Sequence, residues 1–128
     1  MNNRGSVLVL FVLLLPIFML LLVLSIDIAN LVSNRLSLDN INHILVDYSL
    51  DNIDSISLLE DVSSLAIKND KNIDINIVKY DDKINIVLNK NIKGIINKSD
   101  IYKLESNFIG YLDNDKKIIK RKVGDDNE

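Results

Sequence analysis

From Val7 to Leu24 the chain contains only apolar residues. A run of that length with no polar side fits neither a surface helix nor a half-buried strand. With Ser6, Ser25 and Ile26 as shoulders, the stretch reaches the roughly 20 residues a helix needs to cross a hydrocarbon layer about 30 Å thick. A cleaved secretory signal is the competing explanation, but its apolar region runs to only about 7–15 residues and ends at a small-residue cleavage site. Leu24-Ser25-Ile26-Asp27 is a poor match to such a site. The reading is a single membrane-spanning anchor over residues 7–26. Pro16 lies mid-span, removes the hydrogen bond to the carbonyl of Val12 and is expected to kink the helix, which neighbouring helices can compensate in a membrane.

Charge sets the orientation. Arg4 and the N-terminus flank one side of the run, and Asp27 and the more distant Arg35 the other. The positive-inside rule then leaves residues 1–6 as a cytoplasmic leader and exports everything from Asp27 onward. Asp27, a carboxylate at the outer boundary, has two readings: an interfacial anchor at the helix exit, or a contact for a neighbouring subunit.

The helical pattern does not stop at the membrane. Asp27 to Ser49 contains no Pro and no Gly, and Leu31, Leu38, Ile41, Leu45 and Tyr48 form a heptad-like seam with Asn34 at the missing position. The spacing predicts one helix from about Val7 to about Leu50, with residues 27–50 as a stalk. The seam can pack on the chain's own sheet or against other subunits.

Beyond it, residues 51–128 suffice for one small domain. Asp51, Asn52, Asp54 and Ser55 mark a break, and Ser57 to Lys68 is spaced as a helix. The period then becomes two. Ile73, Ile75 and Ile77, and again Ile84, Ile86 and Leu88, alternate around Tyr80-Asp81-Asp82-Lys83 and predict an antiparallel hairpin. Ile101, Leu104, Phe108 and Leu112 share a helical face behind Ser99 as cap and Asp100 in the first turn, which predicts a further helix. Asp113-Asn114-Asp115 reads as a turn, Lys116 to Val123 as a third strand, and residues 124–128 as an acidic tail. The fold expected is α+β: a long N-terminal transmembrane and stalk helix packed on a small antiparallel sheet, pilin-like in outline.

Chemistry is scarce. The chain has no Cys and one His, so thiol catalysis, disulfides and Cys-based metal sites fall away, and His43 has no second His to complete a ligand set. A net charge of −3 and a pI near 5.1 offer no field for nucleic acid. No nucleophile elbow, zinc-protease or phosphate-loop motif occurs. Asp113-Asn114-Asp115 resembles the start of a calcium loop, but Ile118 stands at the glycine position and Gly124 at the final ligand. Lys116, Lys117, Lys120, Arg121 and Lys122 form a basic cluster, read either as edge-protecting charges or as a contact for anionic headgroups or an acidic neighbour. Asn97-Lys98-Ser99 is a formal glycosylation sequon. No catalytic, cofactor-binding or metal-binding residue is expected, and the chain is not expected to be an enzyme.

Arg4-Gly5-Ser6, the apolar run with Phe11 and Leu15-Pro16, and Ile26-Asp27-Ile28 at the exit together resemble the TadE/TadG-like proteins of Tad (Flp) pilus assembly. Asn34-Arg35-Leu36 with Asn40 and Asn42 resembles that family's stalk in register. The likeness covers about 45 residues, the anchor and the stalk. It implies a bacterial cytoplasmic-membrane protein with its N-terminus inside, partnered by the bilayer and by other pilus-assembly or envelope proteins through helix–helix association. In the pseudopilin branch a peptidase cuts after the glycine, here between Gly5 and Ser6, and a Glu stands at the fifth mature position. Here that position is Leu10, so the TadG-like branch is the nearer fit. An unrelated membrane-anchored subunit of an envelope complex is the alternative.

Overall fold

The computed structural model describes residues 3–95 and 101–122. It opens with one helix, α1, spanning Asn3–Asp51. At 1.5 Å per residue its 49 residues extend about 70 Å. The helix continues through Pro16 and ends where Asn52 turns back, its backbone N–H and its side-chain amide both donating to the Tyr48 carbonyl. A short turn leads to α2, Leu58–Asn69, which carries Glu60 and Asp61 in its first turn and Lys68 in its last, the favourable sense for the helix dipole. Ser57 caps it by position, although its hydroxyl donates to the Asp61 carboxylate and not to the helix backbone.

Four antiparallel strands follow in chain order: β1 Ile73–Tyr80, β2 Lys83–Lys93, β3 Ile101–Asp113 and β4 Lys116–Arg121. Both tight hairpins use the turn chemistry their residues favour. Asp81 joins β1 to β2 at φ 31°, and Asn114 and Asp115 join β3 to β4 at φ 49° and 65°. In the β3–β4 turn both loop residues have positive φ, the turn that matches strand twist, whereas in the β1–β2 turn only Asp81 does; Asn and Asp tolerate it best after Gly.

The sheet lays one face on the second half of α1, with α2 closing one flank. Leu38, Leu45, Val46 and Leu50 of α1, Leu58, Val62 and Ala66 of α2, and Ile73, Ile84, Ile86, Leu88 and Leu104 of the sheet form the core. A fully buried Leu, Ile or Val contributes about 1.5–3 kcal/mol, so this interface dominates the domain's stability. The other face of the sheet is open.

The segment read as a further helix, from Ile101 to Leu112, is β3, a 13-residue strand. Its inward positions are Tyr102, Leu104, Ser106, Phe108, Gly110 and Leu112, a true period of two. Ser106 and Gly110 hide that period because α1 passes too close there for larger side chains. A Cβ on Gly110 would lie 2.3 Å from Val46 Cγ1 and 3.1 Å from Leu50 Cδ1. Among the described residues the domain therefore has four strands and one short helix beside α1, where three strands and two short helices were expected. The expectations placed on Ser99, Asp100, the sequon at Asn97, Val123 and the acidic tail lie outside the described residues.

Candidate functional site

Two surfaces of α1 hold the anchor and the seam singled out in the sequence. The first is the apolar half. From Val7 to Leu24 all the large hydrophobic side chains are exposed around the whole helix circumference, as is Ile26. The helix is thus long and apolar enough to cross a membrane. Gly5 and Ser6 precede this stretch on the exposed helix, and a Cβ on Gly5 would meet nothing within 4 Å. Ser25 donates its hydroxyl to the Leu21 carbonyl at 2.8 Å, which satisfies a polar side chain within the helix itself.

The second surface is the seam. Leu38 and Leu45 are fully buried, and Leu31, Ile41 and Tyr48 are half-buried against the same core, so all five pack within the chain itself, on the core that the sheet and α2 share. Asn34 lies on this side too, donating to Asn30 and accepting from Lys90 Nζ at 3.4 Å. Lys90 also pairs with Asp70 at the end of α2, and the Asn72 N–H donates to the same carboxylate group at 2.9 Å. The hydrogen bond from Lys90, helped by the Asn72 N–H, holds the Asp70 carboxyl below its ordinary range. One polar chain thereby ties α1, β2 and the α2–β1 corner together.

The residue that sequence reasoning undervalued is Asn42. It is completely buried, and its Nδ2 donates to the Ile86 carbonyl at 2.9 Å, the Ser106 carbonyl at 3.0 Å and Ser106 Oγ at 3.2 Å. The amide reaches across β2 and β3 at once and fixes the height of the helix on the sheet. Three buried acceptors meeting one donor leave little room for a slipped register. Its local sequence signal is an Asn four residues after Leu38 and three before Leu45, on a largely apolar stripe.

The basic strand β4 is largely answered within the chain. Lys117 pairs with Asp47 at 3.1 Å and Asp51 at 2.5 Å, and Arg121 approaches Asp39 at 3.5 Å. These acids line the side of α1 that overhangs β4, and the hydrogen bonds that Lys117 donates to Asp51 and Asp47 hold its ammonium above its ordinary pKa. Lys120 and Lys83 sit over the two sides of the Tyr111 region, 5.9 and 5.7 Å from its ring centroid. His43 is exposed and meets Phe108 edge-on, with ring centroids 6.3 Å apart.

Asp27 is engaged as well. Its Oδ1 accepts the backbone N–H of Ile95 at 2.9 Å, joining the exit of the apolar half to the far end of β2. Among the described residues no group of three or more His, Asp or Glu side chains is placed to hold a metal ion. A shallow depression between the helices is lined by Tyr48, Asp61, Ser64, Leu65 and Lys68. No family model matches the chain, and neither the curated proteins nor the solved structures contain a match to it.

Proposed function

We propose that this chain is a minor-pilin-like or pilus-assembly-associated single-pass membrane protein, which acts through helix packing and protein–protein contacts. The observation that carries the reading is the abrupt change along one unbroken helix. Up to Ile26 it exposes apolar side chains on every side, and from Leu31 it is clamped on an antiparallel sheet. Apolar side chains around a full turn suit hydrocarbon and not water. Arg4 on one side and the domain on the other fit an N-inside, domain-outside topology. A long helix whose second half carries a small antiparallel sheet matches the pilin outline, and the Arg4-Gly5 leader adds the resemblance to TadE/TadG-like proteins.

Such a role needs no catalytic residues. The apolar half stores the subunit in the bilayer, where close packing of helices takes the place of lipid contacts during association. The domain then determines which partners dock. Leu10, in the place where pseudopilins carry Glu, favours a second form of the same reading: a fixed anchor belonging to an envelope complex and never entering a fibre.

Mass spectrometry of the N-terminus, on protein recovered from native membranes, separates the two. A mature start at Ser6 establishes prepilin-type processing. A start at Met1 or Asn2 removes the fibre-subunit form and leaves the fixed anchor.

A further inference from the structure

We propose that the β2–β3 end of the sheet is a second membrane contact, so that the domain rests on the lipid surface and does not stand away from it on a bare stalk. The proposal rests on the reading of residues 7–26 as the membrane span.

The depth of this end is set by one hydrogen bond. Asp27 is the first ionisable residue after Arg4, and it follows directly on the apolar run. A helix rises 1.5 Å per residue, so Asp27 leaves the hydrocarbon within a residue of its edge. The headgroup layer beyond that edge is roughly 5–7 Å deep on each side of the bilayer. Because the Ile95 N–H lies 2.9 Å from Asp27 Oδ1, Ile95 is held within this layer.

The side chains gathered at that level have the composition an interface demands. Ile95 is 50% exposed and Ile101 is 61% exposed, although no interior position of the sheet leaves an isoleucine so open. Lys93 pairs with Ile101 across the ladder and Asn91 with Lys103, which places Lys93, Ile101 and Lys103 together on the open face of the sheet. Isoleucines at headgroup depth gain burial in the acyl boundary, while lysine stems run along apolar surface and keep their ammonium groups among phosphates. Each Lys near an anionic surface adds attraction that falls away within a Debye length. The opposite end of β2 carries Asp81 and Asp82 beside Lys83. It lies about 35 Å away along the 11-residue strand. The end at the membrane thus joins exposed isoleucines to lysines, whereas the far end mixes Asp81, Asp82 and Asp113 with Lys83, Lys116 and Lys117.

The absence of cysteine makes the test direct. Leu14→Cys, Asp82→Cys, Ile95→Cys and Ile101→Cys each receive one nitroxide label, and the full-length variants are reconstituted in phosphatidylcholine vesicles with and without phosphatidylglycerol. Collision rates with oxygen and with a water-soluble nickel chelate report depth. The Leu14 label should be deepest. Labels at 95 and 101 should shift towards oxygen, the shift growing with phosphatidylglycerol, and the Asp82 label should match water. Adding Lys93→Glu and Lys103→Glu to the Ile101→Cys chain should abolish the growth with phosphatidylglycerol. Labels at 95 and 101 as chelate-accessible as the one at 82, with a deep Leu14 label, overturn the proposal and leave the anchor intact. A water-exposed Leu14 label overturns the anchor and the proposal with it.

Discussion

The two halves of α1 share one backbone and almost nothing else. Leu20 and Leu45 are both leucines on the same helix, yet Leu20 is exposed and Leu45 completely buried. In the first half hydrophobicity has no direction. In the second it is a stripe, and the stripe has a sheet to cover it. A helix continues through both because backbone hydrogen bonding is local, while the medium each half requires is decided by how its apolar side chains are distributed. Fold and placement are therefore separate consequences of one element.

The largest expected effect separates the halves outright. Leu45→Ala should cost the domain about 2–5 kcal/mol, since it empties a packed core position. Leu20→Ala should leave the domain's urea midpoint unchanged. Equal losses at the two sites would mean that the first half also packs on protein.

Gly110→Ala comes next. Val46 is β-branched and cannot swing aside easily, so the 2.3 Å clash should cost about 1–3 kcal/mol by the same assay. A neutral result would show that α1 can lift from β3 at that point, and the close approach would lose its importance. Asn42→Ala should cost about 1–3 kcal/mol, because it strips a donor from buried acceptors. Asn42→Asp tests the same point differently, replacing the donor with a carboxylate facing two carbonyls, and it should destabilise more than Ala near neutral pH.

How legible each region was in the sequence follows the same division. The apolar half, the seam and the first hairpin were plain because their periodicities are unbroken: none in the anchor, three to four in the stalk, two in Ile73–Ile77 and Ile84–Leu88. β3 was not plain. Ile101, Leu104, Phe108 and Leu112 happen to fall at helical spacing, while the alternation that governs the strand is written partly in Ser106 and Gly110. Those two residues are small because a neighbour presses on them, and a neighbour cannot be seen in a local window. The partners of β4 were hidden for the same reason. Nothing local says that Lys117 will meet Asp47 and Asp51, some seventy positions earlier.

The smallest effects are electrostatic and depend on pH. The folded Asp70 carboxyl titrates below its ordinary 3.8, so the Lys90 pair stabilises the domain above that value and is lost as the pH falls through the depressed one. Asp70→Asn should lower Tm near neutral pH, and the difference should close in acid. Lys117 runs the other way. Its raised pKa gives a contribution present below 10.5 and lost as the pH rises past the elevated value. Being exposed, the pair should change Tm less than Asp70 does.

Amide hydrogen exchange on the full chain in lipid nanodiscs, followed through a urea series, tests the division of α1 most directly. If the halves belong to different media, amides from 27 to 51 will lose protection together with the sheet, while those from 7 to 26 stay protected beyond the domain's midpoint. Loss of protection along the whole of α1 in one transition would contradict it, and would make the long helix a single element held by the domain alone.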